Sequence, residues 1–395
     1  MDKTLAFVAP WYGDNIPGGA EAACRSLAKA LAARGLNVEV LTTCVRDFRA
    51  NWSENYHPAG ATSETGILVR RFPVRGRDTR RFDEINAVLM QGRTVSRGEE
   101  QAFLAEMINS PALYDYMRRH CDRYIFLFIP YMFATTYWGS RACPEQSILI
   151  PCLHDEAYAR FESFREMSHA VRGAIFLSEE EKDLAVRLYG IHPDKTCVGG
   201  LPVDCAWTGD GARFARKYGL RDFILYAGRA DKGKNADLLI DYYCRYAEDV
   251  DGAPKLVFIG DANELHIPRS FSDRIVKLGF VPQQDKYDAY AAAAVLCVPS
   301  VVESFSIVMM ESWLAGTPVL ANADCAVTAG HCRRSNGGLY FSGYEVFREM
   351  LMELMRRRQL AATLGRQGRE YVLHRFSHDR IADTYLGALH RWALL

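Results

Sequence analysis

The chain has 395 residues, 49% hydrophobic and 24% charged, and its 48 basic side chains are balanced by 48 acidic ones. That length supports two domains with separate cores, and a net charge of zero supplies no global field to recruit nucleic acid or a membrane. The 11 cysteines are an odd number without a CxxC pair, which argues against a disulfide framework and a zinc site and points to a reducing cytoplasm.

The first residues run straight into a strand with no cationic leader, and no apolar run approaches the ~20 residues that span a bilayer. Residues 5–10 read as a buried parallel strand, Gly18-Gly19-Ala20-Glu21 as a tight loop, and 20–34 as a helix with Ala23, Leu27, Ala30 and Leu31 inside. Gly35 stops that helix and 38–42 is the next strand, completing a βαβ unit. Arg70, Arg71, Arg75, Arg77, Arg80 and Arg81 crowd one segment against Asp78, Asp83 and Glu84. Two readings stay open there: a solvated charged loop, or a contact with anionic lipid headgroups. Residues 125–133 with Tyr137 and Trp138 form the most apolar stretch, which Pro130 divides into a core strand and a following helix. A strand over 147–152 places His154 at its C-terminal end, where open α/β sheets bind ligands, with Asp155 and Glu156 beside it.

Residues 198–204 are a Gly/Pro-rich crossing and the natural hinge. After it the opening pattern recurs: a strand at 223–227, a loop over 228–235, a helix from 236 to about 246 and a strand at 255–260. The expected domains are therefore 1–203 and 204–375, both doubly wound α/β, with a helical tail 376–395 that carries enough apolar residues to pack back on the first domain. Asp249-Val250-Asp251 has the form of a divalent-metal motif, but Gly252 and Pro254 beside it make it a solvated turn, and no metal is expected. Neither a GxGxxG dinucleotide fingerprint after the first strand nor a Walker lysine loop is present.

The strand 295–300 runs into Glu303, and a helical pattern that stops at Gly316 puts Glu311 about two turns in. Between the two acids lie the free N–H groups of the first helical turn, around 305–308, which suit a diphosphate. Met309, Met310, Trp313 and Leu314 crowd Glu311, so a ligand or a cation must answer its charge. Arg229 and Lys234 near a helix start oppose its dipole, which favours a bound anion.

Taken together, the Glu-x7-Glu spacing at Glu303 and Glu311, Gly228-Arg229 with Lys234 five positions on, the Gly18-Gly19 loop and His154 resemble the GT-B retaining glycosyltransferases often called family 4, over nearly the whole chain. The overall look, including residues 153–156 and 335–339, is similar to bacterial transferases that build surface polysaccharides. The resemblance implies two Rossmann-like domains facing a cleft, with Arg229 and Lys234 on the donor diphosphate, Glu311 on the ribose, Glu303 beside the donor sugar and His154 on its hydroxyls. Gly18 and Gly19 then lie where phosphate and acceptor meet. Ser304, Phe305, Ser306, Ile307 and Lys286 complete the donor-binding set, and Glu21, Arg75, Arg77, Arg80 and Arg81 are assigned to an acceptor or membrane side. Ser304-Phe305-Ser306 departs from the Gly-containing turn frequent in the family, and Lys232 imitates the lysine of longer relatives; Lys234 is preferred because the helix begins right after Asn235. The implied reaction moves a hexose from a UDP- or GDP-sugar to a glycan or lipid-linked glycan without a metal cofactor, by front-face departure and attack. Two alternatives remain: a nucleotide-sugar epimerase of the same architecture, and a non-catalytic nucleotide-sugar-binding module.

Overall fold

A computed structural model describes residues 3–14, 16 and 18–395. The chain divides into two compact units: Met1–Pro202 together with His378–Leu395, and Val203–Ser377.

In the first unit β1 (Thr4–Val8), β2 (Val38–Thr43), β3 (Gly60–Glu64), β4 (Ile67–Phe72), β5 (Tyr124–Phe128), β6 (Ser147–Leu149), β7 (Gly173–Phe176) and β8 (Thr196–Val198) form a sheet in the order β3-β4-β2-β1-β5-β6-β7-β8. Every pairing is parallel except β3 with β4. β1 and β5 are the buried centre, and their near-continuous apolar sequences are what a strand covered on both faces demands. The helix Gly19–Ala33 begins one residue earlier than the sequence suggested, with Gly18 as its N-cap. The apolar segment resolves into β5 and, after Pro130, the helix Ala134–Ser140.

The C-terminal helix His378–Arg391 packs within this first unit. Tyr385 donates to Gly200 O at 3.2 Å, Arg391 to Thr196 O and Trp392 Nε1 to Asp194 O, both at 2.7 Å. A side chain at Gly173 would run into the Trp392 ring, so the close approach of β7 to this tail depends on glycine.

The second unit holds β9 (Phe223–Ala227), β10 (Leu256–Ile259), β11 (Ile275–Gly279), β12 (Ala293–Val298), β13 (Val319–Asn322) and β14 (Gly338–Phe341), in the order β11-β10-β9-β12-β13-β14. All its pairings are parallel. Its core gathers Ile224, Tyr226, Leu256, Phe258 and Val295 from the sheet with Leu239, Tyr243, Phe347 and Leu351 from covering helices. β9 has β10 on one side and β12 on the other, so the chain reverses direction of winding there. Open α/β sheets bind ligands outside the C-terminal strand ends at such a switch point.

Three expectations change. Cys121 and Cys143 form a disulfide, whereas the cysteine count argued against a disulfide framework; two chain segments 22 residues apart bring their Cα atoms to 5.9 Å, and the other nine cysteines are free. The helix after β9 runs Ala236–Asp249, so Asp249 closes a helix and its carboxylate accepts from Tyr344 OH at 2.7 Å. β6 ends at Leu149, which leaves His154 in the following loop. No helix among the described residues is long and apolar enough to cross a membrane.

Candidate active site

The β9 strand ends at Ala227, and Gly228 N donates to Ile259 O at 2.9 Å, holding the turn against β10. A Cβ on Gly260 would collide with the Gly228 carbonyl, so this pair of strand ends closes only with glycine there. The turn delivers Arg229, whose Nε lies 2.5 Å from Asp231 Oδ2 and whose carbonyl accepts from Tyr226 OH at 2.6 Å. Asp231 in turn accepts from Lys234 N at 3.1 Å, capping the short 3-10 turn Lys232–Lys234. Lys234 then reaches the loop after β12, with Nζ 2.8 Å from Glu303 Oε1. Lys232 is exposed, which separates the two lysines: only Lys234 is joined to the Glu303 loop.

The helix Ile307–Leu314 opens on Ser306, whose φ of 66° lies in the left-handed region. A β-carbon is disfavoured there, and the Ser306 hydroxyl is also buried without a hydrogen-bond partner. Phe305 is held by edge-on contacts with His331 and Phe376, at 5.5 and 5.0 Å between ring centres. His331 is buried, and desolvation, with Arg334 and Arg375 nearby, pushes its imidazole down to about 3, so it packs as a neutral ring. The helix is short, and Glu311 is its fifth residue, one turn in rather than two.

The charge of Glu311 is answered inside the protein. Lys286 Nζ lies 2.6 Å from Glu311 Oε1, and Tyr290 OH donates to Oε2 at 2.8 Å. Both donors come from the helix Gln283–Ala292. Tyr290 was not anticipated; its spacing of four from Lys286 is the signal that sequence offered, since residues at i and i+4 share a helix face. In the same way Asp231 pairs with Arg229 and Glu303 with Lys234.

His154, Gly18, Gly19 and Glu21 belong to the first unit. His154 Nδ1 is 3.9 Å from Glu156 Oε1, which also accepts from Tyr131 OH at 2.9 Å. Burial raises the Glu156 carboxyl, and the tyrosine bond opposes that rise. Glu21, in the first turn of the helix Gly19–Ala33, accepts from Trp11 Nε1 at 2.6 Å. Glu181 is 1% exposed and bridges two segments, accepting from Leu153 N at 2.7 Å and Leu177 N at 2.5 Å. Burial pushes its carboxyl up to about 8 in spite of these bonds.

The arginine segment is mostly spent on the fold. Arg70 pairs with Glu39 at 2.8 Å on adjacent strands, and Arg71 pairs with Glu64 at 2.6 Å. Arg77 donates to Glu106 O at 2.6 Å and lies over the rings of Trp52 and Phe82 at 5.0 and 4.4 Å. Arg75 bonds the backbone at Ala105 and Gly76. Arg80 and Arg81 remain at the surface and share Glu84. A cationic membrane patch needs unneutralised charge, and Arg70, Arg71 and Arg75 are paired with Glu39, Glu64 and Glu106, whereas the contacts of Arg77 with a carbonyl and two rings leave its charge in place.

Residues 213–371 match the family described as Glycosyl transferases group 1. The chain is similar to D-inositol 3-phosphate glycosyltransferase from Kribbella flavida, at 26% identity over 96% of this chain and 91% of the relative. In solved structures the fold matches sucrose-phosphate synthase from Thermosynechococcus elongatus at a TM-score of 0.71 and 17% identity, covering 99% of each chain. It also matches Anabaena HepE in complex with UDP at a TM-score of 0.68 and 15% identity, covering 98% of this chain and 99% of that one.

Proposed function

We propose that this chain, whose residues 213–371 match the group 1 glycosyl transferases and whose fold is GT-B, transfers a hexose from a UDP- or GDP-sugar with retention of configuration. The observation that carries the reading is the arrangement at the β9/β12 divergence. Two cation–carboxylate pairs, Lys234–Glu303 and Lys286–Glu311, flank the N-terminus of one helix. A diphosphate suits that N-terminus with Arg229 and Lys234, a ribose suits Glu311, and the sugar falls to Glu303. His154 is assigned to the sugar hydroxyls and Gly18–Gly19 to the acceptor side, on the family resemblance.

As the glycosidic bond breaks, negative charge grows on the leaving diphosphate, and Arg229 and Lys234 stabilise that charge most strongly at the transition state. The leaving phosphate oxygen takes the acceptor proton, so no enzymic nucleophile is required. The acceptor we assign is a hydroxyl of a glycan or lipid-linked glycan in surface polysaccharide synthesis, met in the cytoplasm where nucleotide sugars are made. The names of the full-length relatives favour a second reading, a phosphorylated cyclitol acceptor. A thermal-shift panel of UDP, GDP, ADP and their sugar conjugates identifies the donor, because a ligand that binds only the native state raises its melting temperature. Incubation of that donor with inositol phosphate or with lipid-linked glycans, followed by NMR of the anomeric proton, then separates the acceptors and reads the stereochemistry. A melting temperature that no nucleoside diphosphate moves refutes the assignment.

A further inference from the structure

The two donors on Glu311 are arranged as a fork. Lys286 and Tyr290 stand four apart on one helix, so they project from one face, and each takes a different oxygen of the same carboxylate. Tyr290 is 0% exposed, and its backbone carbonyl is anchored by Thr317 Oγ1 at 2.6 Å. Its hydroxyl therefore approaches Glu311 from a fixed side. An ion pair between two surface helices would need only the lysine. The buried phenol adds a second, directional bond that fixes the plane of the carboxylate.

Each carboxylate oxygen can accept two hydrogen bonds, and the fork fills one on each. What remains is a pair of acceptors in a set orientation, which matches two hydroxyl donors on neighbouring carbons. We propose that Lys286 and Tyr290 are positioning residues that hold Glu311 as a reader of an intact vicinal diol, making the site selective for ribonucleotide over 2′-deoxyribonucleotide donors. This rests on the donor-site reading above and deepens it. Loss of one ribose hydroxyl leaves one oriented acceptor of a mostly buried carboxylate without its donor, and unpaired buried polar groups are the strongest source of discrimination between close analogues.

The test is calorimetric titration of the wild type, Tyr290→Phe and Lys286→Met with UDP, GDP and ADP and with the 2′-deoxy form of each. The wild type should bind its ribonucleoside diphosphate at least about 10-fold more tightly than the 2′-deoxy form, the scale of one hydrogen bond to a charged group. Tyr290→Phe, which keeps the ring and its packing, should weaken the ribonucleotide about 10-fold and leave the 2′-deoxy form within about 2-fold, so the preference collapses. Lys286→Met should reduce it in the same direction. A purely structural role weakens both forms equally and leaves the ratio intact; that result, or equal binding of both forms by the wild type, overturns the inference while leaving the donor site standing. A wild type that binds none of the six overturns the functional reading itself, and this inference with it.

Discussion

Replacing Ser306 by glycine should stabilise the second unit, because two separate costs meet at that residue. Its φ of 66° and ψ of 76° place a β-carbon in the left-handed region, at a cost of about 1–2 kcal/mol. Its hydroxyl is buried without a partner, which costs about 1–3 kcal/mol. Glycine removes both and gives back about 0.5–1 kcal/mol through the greater freedom of the unfolded chain. The net gain is about 2 kcal/mol, and for a unit of this size each kcal/mol moves the transition by about 2–4 °C. Scanning fluorimetry without ligand should therefore show Ser306→Gly melting about 4–8 °C above the wild type. Ser306→Ala keeps the β-carbon and loses only the hydroxyl, so it should fall between the two. If the glycine variant, with an unchanged circular dichroism spectrum, melts at or below the wild type, then neither the backbone conformation nor the unpaired hydroxyl carries the cost assigned to it.

Arg229→Ala and Lys234→Ala should each lower turnover by about 100-fold in a donor-release assay, the scale of removing one preorganised stabiliser of developing charge. Activity should persist in EDTA, with loss and rescue by magnesium as the contrary result. Glu303→Ala frees the Lys234 ammonium, so calorimetry should find nucleoside diphosphate bound several-fold more tightly even as turnover falls about 100-fold. Glu181 has a folded-state carboxyl raised to about 8, so the native state keeps a proton that the unfolded chain releases near pH 4.5, and wild-type stability should fall as pH rises through that window. The span is worth on the order of 5 kcal/mol, and Glu181→Gln should flatten that part of the curve in urea titrations across the window.

Residues whose positions are set by their own strand ends were readable from sequence. Arg229 and Lys234 follow an apolar run and a glycine, and Glu303 follows another apolar run before a helix, so period and punctuation alone put them at a sheet edge. The pairings could not be read because their partners are distant in sequence. Lys286 meets Glu311 across 25 residues and Arg77 meets Glu106 O across 29, and nothing in either segment names its partner. For the arginine segment two readings stay open from sequence, because composition counts charges and is blind to the carboxylates and carbonyls that other segments bring to Arg70, Arg71, Arg75 and Arg77. The depth of Glu311 in its helix was misjudged for a related reason. Ser306 breaks the helix on its N-terminal side through a backbone conformation that a serine rarely takes, so sequence periodicity extended the helix past its actual start.

The pairings also bear on how the site works on the proposed reading. Arg229 with Asp231, Lys234 with Glu303 and Lys286 with Glu311 leave each cation balanced before any donor arrives. A balanced site, in a chain of zero net charge, projects little long-range potential, so anionic donors are not drawn in from a distance and association should depend only weakly on ionic strength. The carboxylates hold the cations in place before the donor binds. A bound diphosphate must share Arg229 and Lys234 with Asp231 and Glu303, which blunts ground-state affinity. When the sugar leaves, the extra negative charge develops on the diphosphate, not on the two protein carboxylates, so the shared cations shift their attraction toward it. The benefit is thus larger in the transition state than in the complex that precedes it, which is the condition for binding groups to raise turnover.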